Sequence, residues 1–378
     1  MLKTARKFSS FTPQMNNTMK ALVYSGPGKK AWKSVPKPEI SKPTDAIVKI
    51  KSTTICGTDL HILKGDVPEV EKGRILGHEG IGVIESIGNS VRSVKKGDRV
   101  IISCITACGS CVYCSRNLQA HCKDGGWILG YMIDGTQAEY VRIPHADNSL
   151  YPVPESLKDE QVLMLSDALP TGYEVGVLSA KIQPAETVVI VGAGPVGLAA
   201  LMTAKFFTPA KIIMIDYDQE RLNTAKAIGA THIINPAKTK DIPKALEAIR
   251  LEDTGDEVSA NFITKPGVDV AIECVGIPQT FELCQEIIAP GGRIANVGVH
   301  GTKVDLQLQE LWIKNITITT GLVSAYTTRT LLKAVQAKTI DAEKLVTHQF
   351  KLDDIDNAYD VFSKAGQEKA VKVILKAD

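Results

Sequence analysis

Four cysteines in the segment CGSCVYCSRNLQAHC, namely Cys108, Cys111, Cys114 and Cys122, carry the most specific chemical signal in this chain. The first three are three apart and the fourth follows eight later, so a tight loop can bring four thiolates round one zinc ion in a closed tetrahedral site. Two disulfides, or free thiols, are the competing reading. A second group is more scattered. Cys56 ends a strand-like run in TTICGTDLH, and His78 with Glu79 sits in ILGHEGIG, between glycines that favour a turn. A thiolate and an imidazole from separate loops, joined by a later carboxylate, make the open type of zinc site, with one position left for water or substrate. The third signal runs from Thr187 to Asp216. An apolar run (Val188 to Val191) meets Gly192, Gly194 and Gly197, with Pro195 and Val196 between the last two. A helix-forming stretch (Leu198 to Phe207) follows, then a second apolar run ending in Asp216. In such a turn the first glycine permits the bend, the second lets backbone approach a pyrophosphate, and the third lets helix pack on strand. The phosphates then lie at a helix N-terminus, where free N–H groups favour an anion. Asp216, roughly twenty residues past the glycines, can accept both ribose hydroxyls of NAD and would repel the extra phosphate of NADP. The expected cofactor is therefore NAD.

These residues need two different supports. From Lys20 to about Leu150 the segments MKALVYSG, AIVKIKSTTICG, GIGVIESIG, GDRVIIS and AEYVRIP are short and alternating, broken by Gly, Pro and Asp. They predict a mostly antiparallel β domain holding the cysteines and His78. Past position 167 the pattern changes. Helical segments (ALPTGYEVGVLSA, QERLNTAKAIGA, Gln279 to Ile288) alternate with apolar strands (VDVAIECVG, GGRIANVGV, NITITTGLV). That predicts a parallel sheet with helices on both faces, right-handed crossovers and the cofactor at the carboxyl edge. The polar, turn-rich LEDTGDEVSANFITKPG reads as an inserted surface loop.

At 378 residues the chain has room for two domains. Its formal net charge of +2 is spread through the sequence, which gives no electrostatic footprint of a nucleic-acid or membrane-surface binder. No apolar run is long enough to span a bilayer. Small-molecule chemistry is the expectation. Clustering of the cysteines between Cys104 and Cys122 points to metal thiolates; Cys104, Cys274 and Cys284 read as buried small residues. Residues 1–18 differ from the rest. Lys3, Arg6 and Lys7 are basic, Ser9 and Ser10 are present, and no acid precedes Glu39. This is the composition of a mitochondrial presequence, implying the matrix. The alternatives are a disordered leader or a start upstream of Met19, with a cytoplasmic protein.

The GTDLH after Cys56, the GHE motif and the glycine turn together resemble the zinc-dependent medium-chain alcohol dehydrogenases, from about Lys20 to the C-terminus. The resemblance implies a GroES-like catalytic domain over 19–169 carrying a structural-zinc lobe, a Rossmann domain over 170–318, and a return segment over 319–378 that completes the first domain. It implies two zinc ions per chain. The catalytic one takes Cys56 and His78, with Glu79 as an alternate or outer partner. Where the liver- and yeast-type enzymes have a third cysteine, LMLSDALPTGY offers Asp167, as in the short-chain secondary alcohol dehydrogenases of the same family. Trp127 precedes Asp167 by the interval of a pocket tryptophan in those enzymes; a packed aromatic at a domain edge is the alternative. Thr171 is implied beside the nicotinamide, and the backbone of Val297 to Val299 at its carboxamide. Thr58 and His61 are implied as a proton relay from substrate hydroxyl to solvent, with zinc as the Lewis acid. Gly57 departs from the pattern, since a basic residue stands there in the liver- and yeast-type enzymes.

The expectation is thus an NAD-dependent dehydrogenase of short secondary alcohols and ketones, primary alcohols also being eligible. A polyol or butanediol dehydrogenase is the alternative, and a non-catalytic nucleotide-binding protein the alternative of another class. NITITTGLV resembles the strand through which family members pair, so a homodimer or homotetramer is implied.

Overall fold

The structure is a computed structural model, and it describes residues 17–252 and 266–377. Most of the leader and most of the turn-rich insertion lie outside the described residues. Seven strands come from the first part of the chain: β1 (Thr18–Tyr24), β2 (Lys30–Pro36), β3 (Ala46–Thr54), β4 (Gly80–Ile87), β5 (Arg99–Ile102), β6 (Tyr140–Ile143) and β7 (Leu150–Pro152). All pair antiparallel. β3 is central because nearly every residue along it is apolar or small and buried on both faces; only its lysines are part-exposed.

The second part gives β8 (Thr187–Val191), β9 (Lys211–Ile215), β10 (His232–Ile234), β11 (Val268–Glu273), β12 (Ile288–Asn296) and β13 (Thr317–Thr320). They form a parallel six-stranded sheet in the order β10-β9-β8-β11-β12-β13. The order reverses between β8 and β11, so a crevice opens at the carboxyl ends of these two strands, where Gly192 begins the turn. Gly192 has φ +101°, a left-handed conformation that side chains rarely adopt. At Gly197 an added Cβ would run into the Gly192 carbonyl oxygen. The helix Pro195–Ala204 can therefore lie against β8 only with glycine there, and Pro at its first position costs no hydrogen bond.

The chain then returns. β14 (Val346–Lys351) and β15 (Lys372–Lys376) join the first sheet, which runs β14-β15-β3-β4-β5-β7, with β6 also on β3. The helix Thr328–Gln336 leads into this segment, for which the sequence analysis gives only a return to the first domain. The structure adds the helix Ile355–Ser363 and β14. It also adds β2 near the start. Both strands hold several polar residues and are partly exposed, so they lack an apolar period to announce them, and β7 and β10, also absent from the expected strands, span only three residues each. The segment read as one helix from Ala168 widens to π spacing over Gly172–Leu178. Among the described residues no helix is long and apolar enough to cross a membrane.

Candidate active site

Cys56 immediately precedes the helix Gly57–Lys64. Asp59, one turn in, accepts the Cys56 backbone N–H at 2.9 Å and the Gln137 amide at 3.0 Å, so the start of this helix is locked where the thiol emerges. Tyr359 from the returning segment donates to Gln137 Oε1 at 2.8 Å and fixes that amide in turn. His78 and Glu79 precede β4. Asp167 precedes the helix at Ala168, where Thr171 donates its hydroxyl to Asp167 Oδ1 at 3.0 Å.

These elements converge. Donor atoms of Cys56, His78, Glu79 and Asp167 all lie within 4.8 Å of one another. His78 Nε2 is 3.6 Å from Asp167 Oδ2, and Cys56 Sγ is 3.8 Å from the same oxygen. Those separations match the edges of a tetrahedron with bonds of about 2.0–2.3 Å, the lengths zinc takes to N, O and S. The electrostatics agree. Burial opposes charge on His78, yet the Asp167 carboxylate and the Cys56 sulfur hold its imidazole well above the usual range. Burial also opposes charge on Asp167, and His78 holds its carboxyl well below the usual range. A metal ion held between these donors would take the place of the proton that the His78 imidazole keeps. Glu79 is different. It is buried with Lys372, Nζ to Oε1 at 2.6 Å, and only its Oε2 is left without a hydrogen bond.

The four lobe cysteines form the second such group among the described residues. Their sulfurs stand 3.5 Å apart for Cys111 and Cys114 and 3.9 Å for Cys108 and Cys114. Backbone N–H groups point at the sulfurs, Cys108 N to Cys122 Sγ at 3.2 Å and Cys111 N to Cys108 Sγ at 3.4 Å. The N–H groups of Cys114 and Lys123 bring the Cys111 thiol down to about 6, while burial and the hydrogen bond with Cys111 push Cys114 up to about 12, so thiolate character is unevenly shared in the cluster. All eight cysteines are free. Cys104 and Cys284 are buried as expected, whereas Cys274 is only partly so.

Around the first cluster, Thr58 Oγ1 is 3.7 Å from Cys56 Sγ. Trp127 and His78 stand at 85° to each other with ring centroids 6.4 Å apart, and Trp127 stacks on Tyr131 at 4.7 Å. His61 lies on the same helix as Thr58, half-exposed, with Nδ1 2.8 Å from Asp66 Oδ2. At the glycine turn, Asp216 accepts the N–H groups of Ala193 at 2.6 Å and Asp218 at 2.8 Å, one on each oxygen. Each carboxylate oxygen keeps a further acceptor site for a sugar hydroxyl. Val297 gives its N–H to the Glu273 carbonyl at 2.8 Å, while the side chain of Val299 is exposed.

Two family models match this architecture: the alcohol dehydrogenase GroES-like domain over residues 42–155, and the zinc-binding dehydrogenase domain over residues 195–337. An alcohol dehydrogenase of Cupriavidus necator is 36% identical over 96% of this chain and 100% of its own length. The chain belongs to the zinc-dependent medium-chain alcohol dehydrogenases. Its fold is close to zinc dependent alcohol dehydrogenase 2 from Streptococcus pneumonia in the apo form, at 54% identity and TM-score 0.87, covering 95% of this chain and 99% of that one. It is similar too to a short chain alcohol dehydrogenase of E. coli CFT073 solved with NADH, at 25% identity and TM-score 0.83, covering 96% and 100%.

Within this family member, several residues of the site carried no signal in the sequence. Lys372 sits in β15, where KVILK reads as an ordinary strand, yet it is fully buried against Glu79. Burial works against its charge, but Glu79 and then Cys56 outweigh that and push its ammonium up. Tyr131 and Asp66 are likewise visible only in three dimensions. Arg221 brings Nη1 to 4.0 Å from the point where a side chain at Gly194 would begin, which puts a cation beside the glycine turn. Gly57 has nothing within 4 Å of an added Cβ.

Proposed function

We propose that this dehydrogenase oxidises short secondary alcohols to ketones with NAD and reduces the ketones with NADH, using one catalytic zinc at Cys56, His78 and Asp167 and one structural zinc at Cys108, Cys111, Cys114 and Cys122. The observation that carries the reading is the convergence of the first three donors beside the ring of Trp127. When bound, zinc supplies a Lewis acid that polarises the alcohol or carbonyl oxygen, and the nicotinamide accepts or donates the hydride.

The protein's own residues do the rest. Thr171 ties down Asp167 Oδ1, so Oδ2 is the oxygen presented to Cys56 and His78. Lys372 neutralises Glu79, which keeps a fourth donor from competing at the cluster. Thr58 can accept the substrate hydroxyl proton into a hydrogen-bonded path, and His61, one turn along the same helix face, passes it to solvent. Asp66 holds the imidazole by Nδ1 and leaves Nε2 for that transfer. Trp127 and Tyr131 supply a flat apolar wall that suits an alkyl group and excludes water. Preference for NAD rests on Asp216 at the end of β9. Pairing of two copies through β13 is part of the same reading. β13 is an edge strand with one neighbour, and Trp312 and Ile313 beside it are 72% and 68% exposed.

The test is the initial rate of zinc-loaded protein with NAD or NADP, comparing 2-butanol, ethanol, 2,3-butanediol and sorbitol at matched concentrations. Preference for 2-butanol with NAD is the expected result. Preference for the diol or sorbitol would overturn the pocket assignment of Trp127 while leaving the metal chemistry intact.

A further inference from the structure

Glu174 is buried, and neither the metal cluster nor the glycine turn uses it. Its carboxylate nevertheless has four partners in one distant segment. Oε2 accepts the backbone N–H groups of Ser324 at 2.9 Å and Ala325 at 3.0 Å. Oε1 accepts the N–H of Thr327 at 2.9 Å and its hydroxyl at 2.7 Å. Ala325 has φ +57°, a left-handed conformation that an alanine rarely adopts. Backbone N–H groups curled round a negative group in this way make an anion-binding nest, here filled by a side chain of the same molecule. Charge-assisted bonds of this kind are the strong ones, so the carboxylate stabilises a bend the segment would not hold by itself.

What the bend carries is the packing behind Trp127, a wall of the proposed pocket. Val323 and Ala325 are buried in a cluster with Cys104, Ile105, Ala120 and Val175, and Trp127 and Val297 pack on that cluster. The outer side of the bend is fixed as well. Tyr151 donates to the Ala325 carbonyl at 3.2 Å, and the Ala120 N–H, in the cysteine lobe, reaches Ser324 Oγ at 3.3 Å. At the other end, Glu174 is three residues beyond Thr171, which holds Asp167. One helical segment thus fixes a metal donor by Thr171 and the pocket wall by Glu174.

We propose that Glu174 is a positioning residue for substrate specificity: it holds the bend Ser324 to Thr327 so that Val323 and Ala325 form a rigid apolar backing for Trp127, and the wall held in this way sets the length of alkyl chain the site accepts. This rests on the pocket reading given above. A rigid wall discriminates between homologous alcohols, because each methylene either fits or clashes; a loosened wall does not.

The test compares the zinc-loaded wild type with Glu174→Gln and Thr327→Val. kcat/KM is read for 2-propanol, 2-butanol, 2-pentanol and 2-hexanol, alongside zinc content and NADH affinity by fluorescence. Glu174→Gln keeps one carbonyl oxygen but turns an NH2 group toward N–H donors, so the bend loses its anion. The expected result is a ratio between the shortest and longest alcohol that shifts by about tenfold, the low end of what one methylene decides in an apolar pocket. The shift should lie mainly in KM, with zinc content and NADH affinity unchanged. Thr327→Val, which removes one donor and leaves the carboxylate, should move the ratio the same way by less. If Glu174→Gln does not fold, Thr327→Val decides the matter. An unchanged ratio in the folded variant overturns the role of Glu174. Should the wild type turn over none of these alcohols, the substrate reading fails instead, and the ratio is measured on the homologous alcohols it does accept, with the same two outcomes for Glu174.

Discussion

Replacing Lys372 by Met removes a charge from the inside of the molecule while keeping the length of its stem. Lys372 and Glu79 are 2% and 1% exposed and 2.6 Å apart. At an effective dielectric near 20 their attraction is about 6 kcal/mol. Desolvation of two ions takes back several kcal/mol each, so the pair is worth little against a well-packed apolar pair. The variant, however, does not create an apolar pair. It leaves Glu79 buried without its cation, beside Asp167 and Cys56, and breaking a buried pair in this way costs about 3–5 kcal/mol. With about 2–4 °C of melting temperature per kcal/mol in a domain of 150–250 residues, the midpoint should fall by roughly 6–20 °C. Calorimetry on zinc-loaded protein measures it. Lys372→Met combined with Glu79→Gln should recover more than half of the loss, because the orphaned charge is then gone. A single variant that melts within about 2 °C of the wild type, the range of an ordinary surface change, would refute this reasoning. So would a double variant in which the two losses simply add.

Two further outcomes concern the cofactor. Gly57→Arg puts a cation where nothing crowds an added side chain, so NADH should leave more slowly in stopped-flow displacement; an unchanged off-rate would mean that Arg221 and the backbone amides already saturate the phosphates. Asp216→Asn keeps an acceptor for only one of the two N–H groups of Ala193 and Asp218, turns an NH2 group toward the other and removes the negative charge, so the ratio of kcat/KM for NAD over NADP should fall by about tenfold or more, an energy of about 1.4 kcal/mol. An unchanged ratio would assign the preference to other residues.

Where the chemistry sits in one short stretch, the sequence was enough to find it. The lobe cysteines announce themselves by spacing alone, and strand, glycine turn, helix and strand from Thr187 to Asp216 fold as their pattern predicts. Cys56 and His78 suggest a pair but not a site; Asp167 entered only through the family resemblance, because a single carboxylate in LMLSDALPTGY has no period and no partner nearby. The groups that steady those donors are harder still. Glu79 and Lys372 are 293 residues apart, and Glu174 meets its partners about 150 residues on. Nothing local distinguishes such a lysine or glutamate from one on a solvated face, since burial of a charge is decided by tertiary packing. The returning segment hid for the related reason that β14 alternates between part-buried and exposed residues, several of them polar.

The central claim is that Cys56, His78 and Asp167 hold the zinc on which alcohol oxidation depends. Its most direct test is zinc content measured together with the rate of 2-butanol oxidation in wild type and Asp167→Ala. The account predicts two zinc ions per chain in the wild type and one in the variant, with NADH binding retained and turnover lost. A variant that keeps both ions and its rate would contradict it.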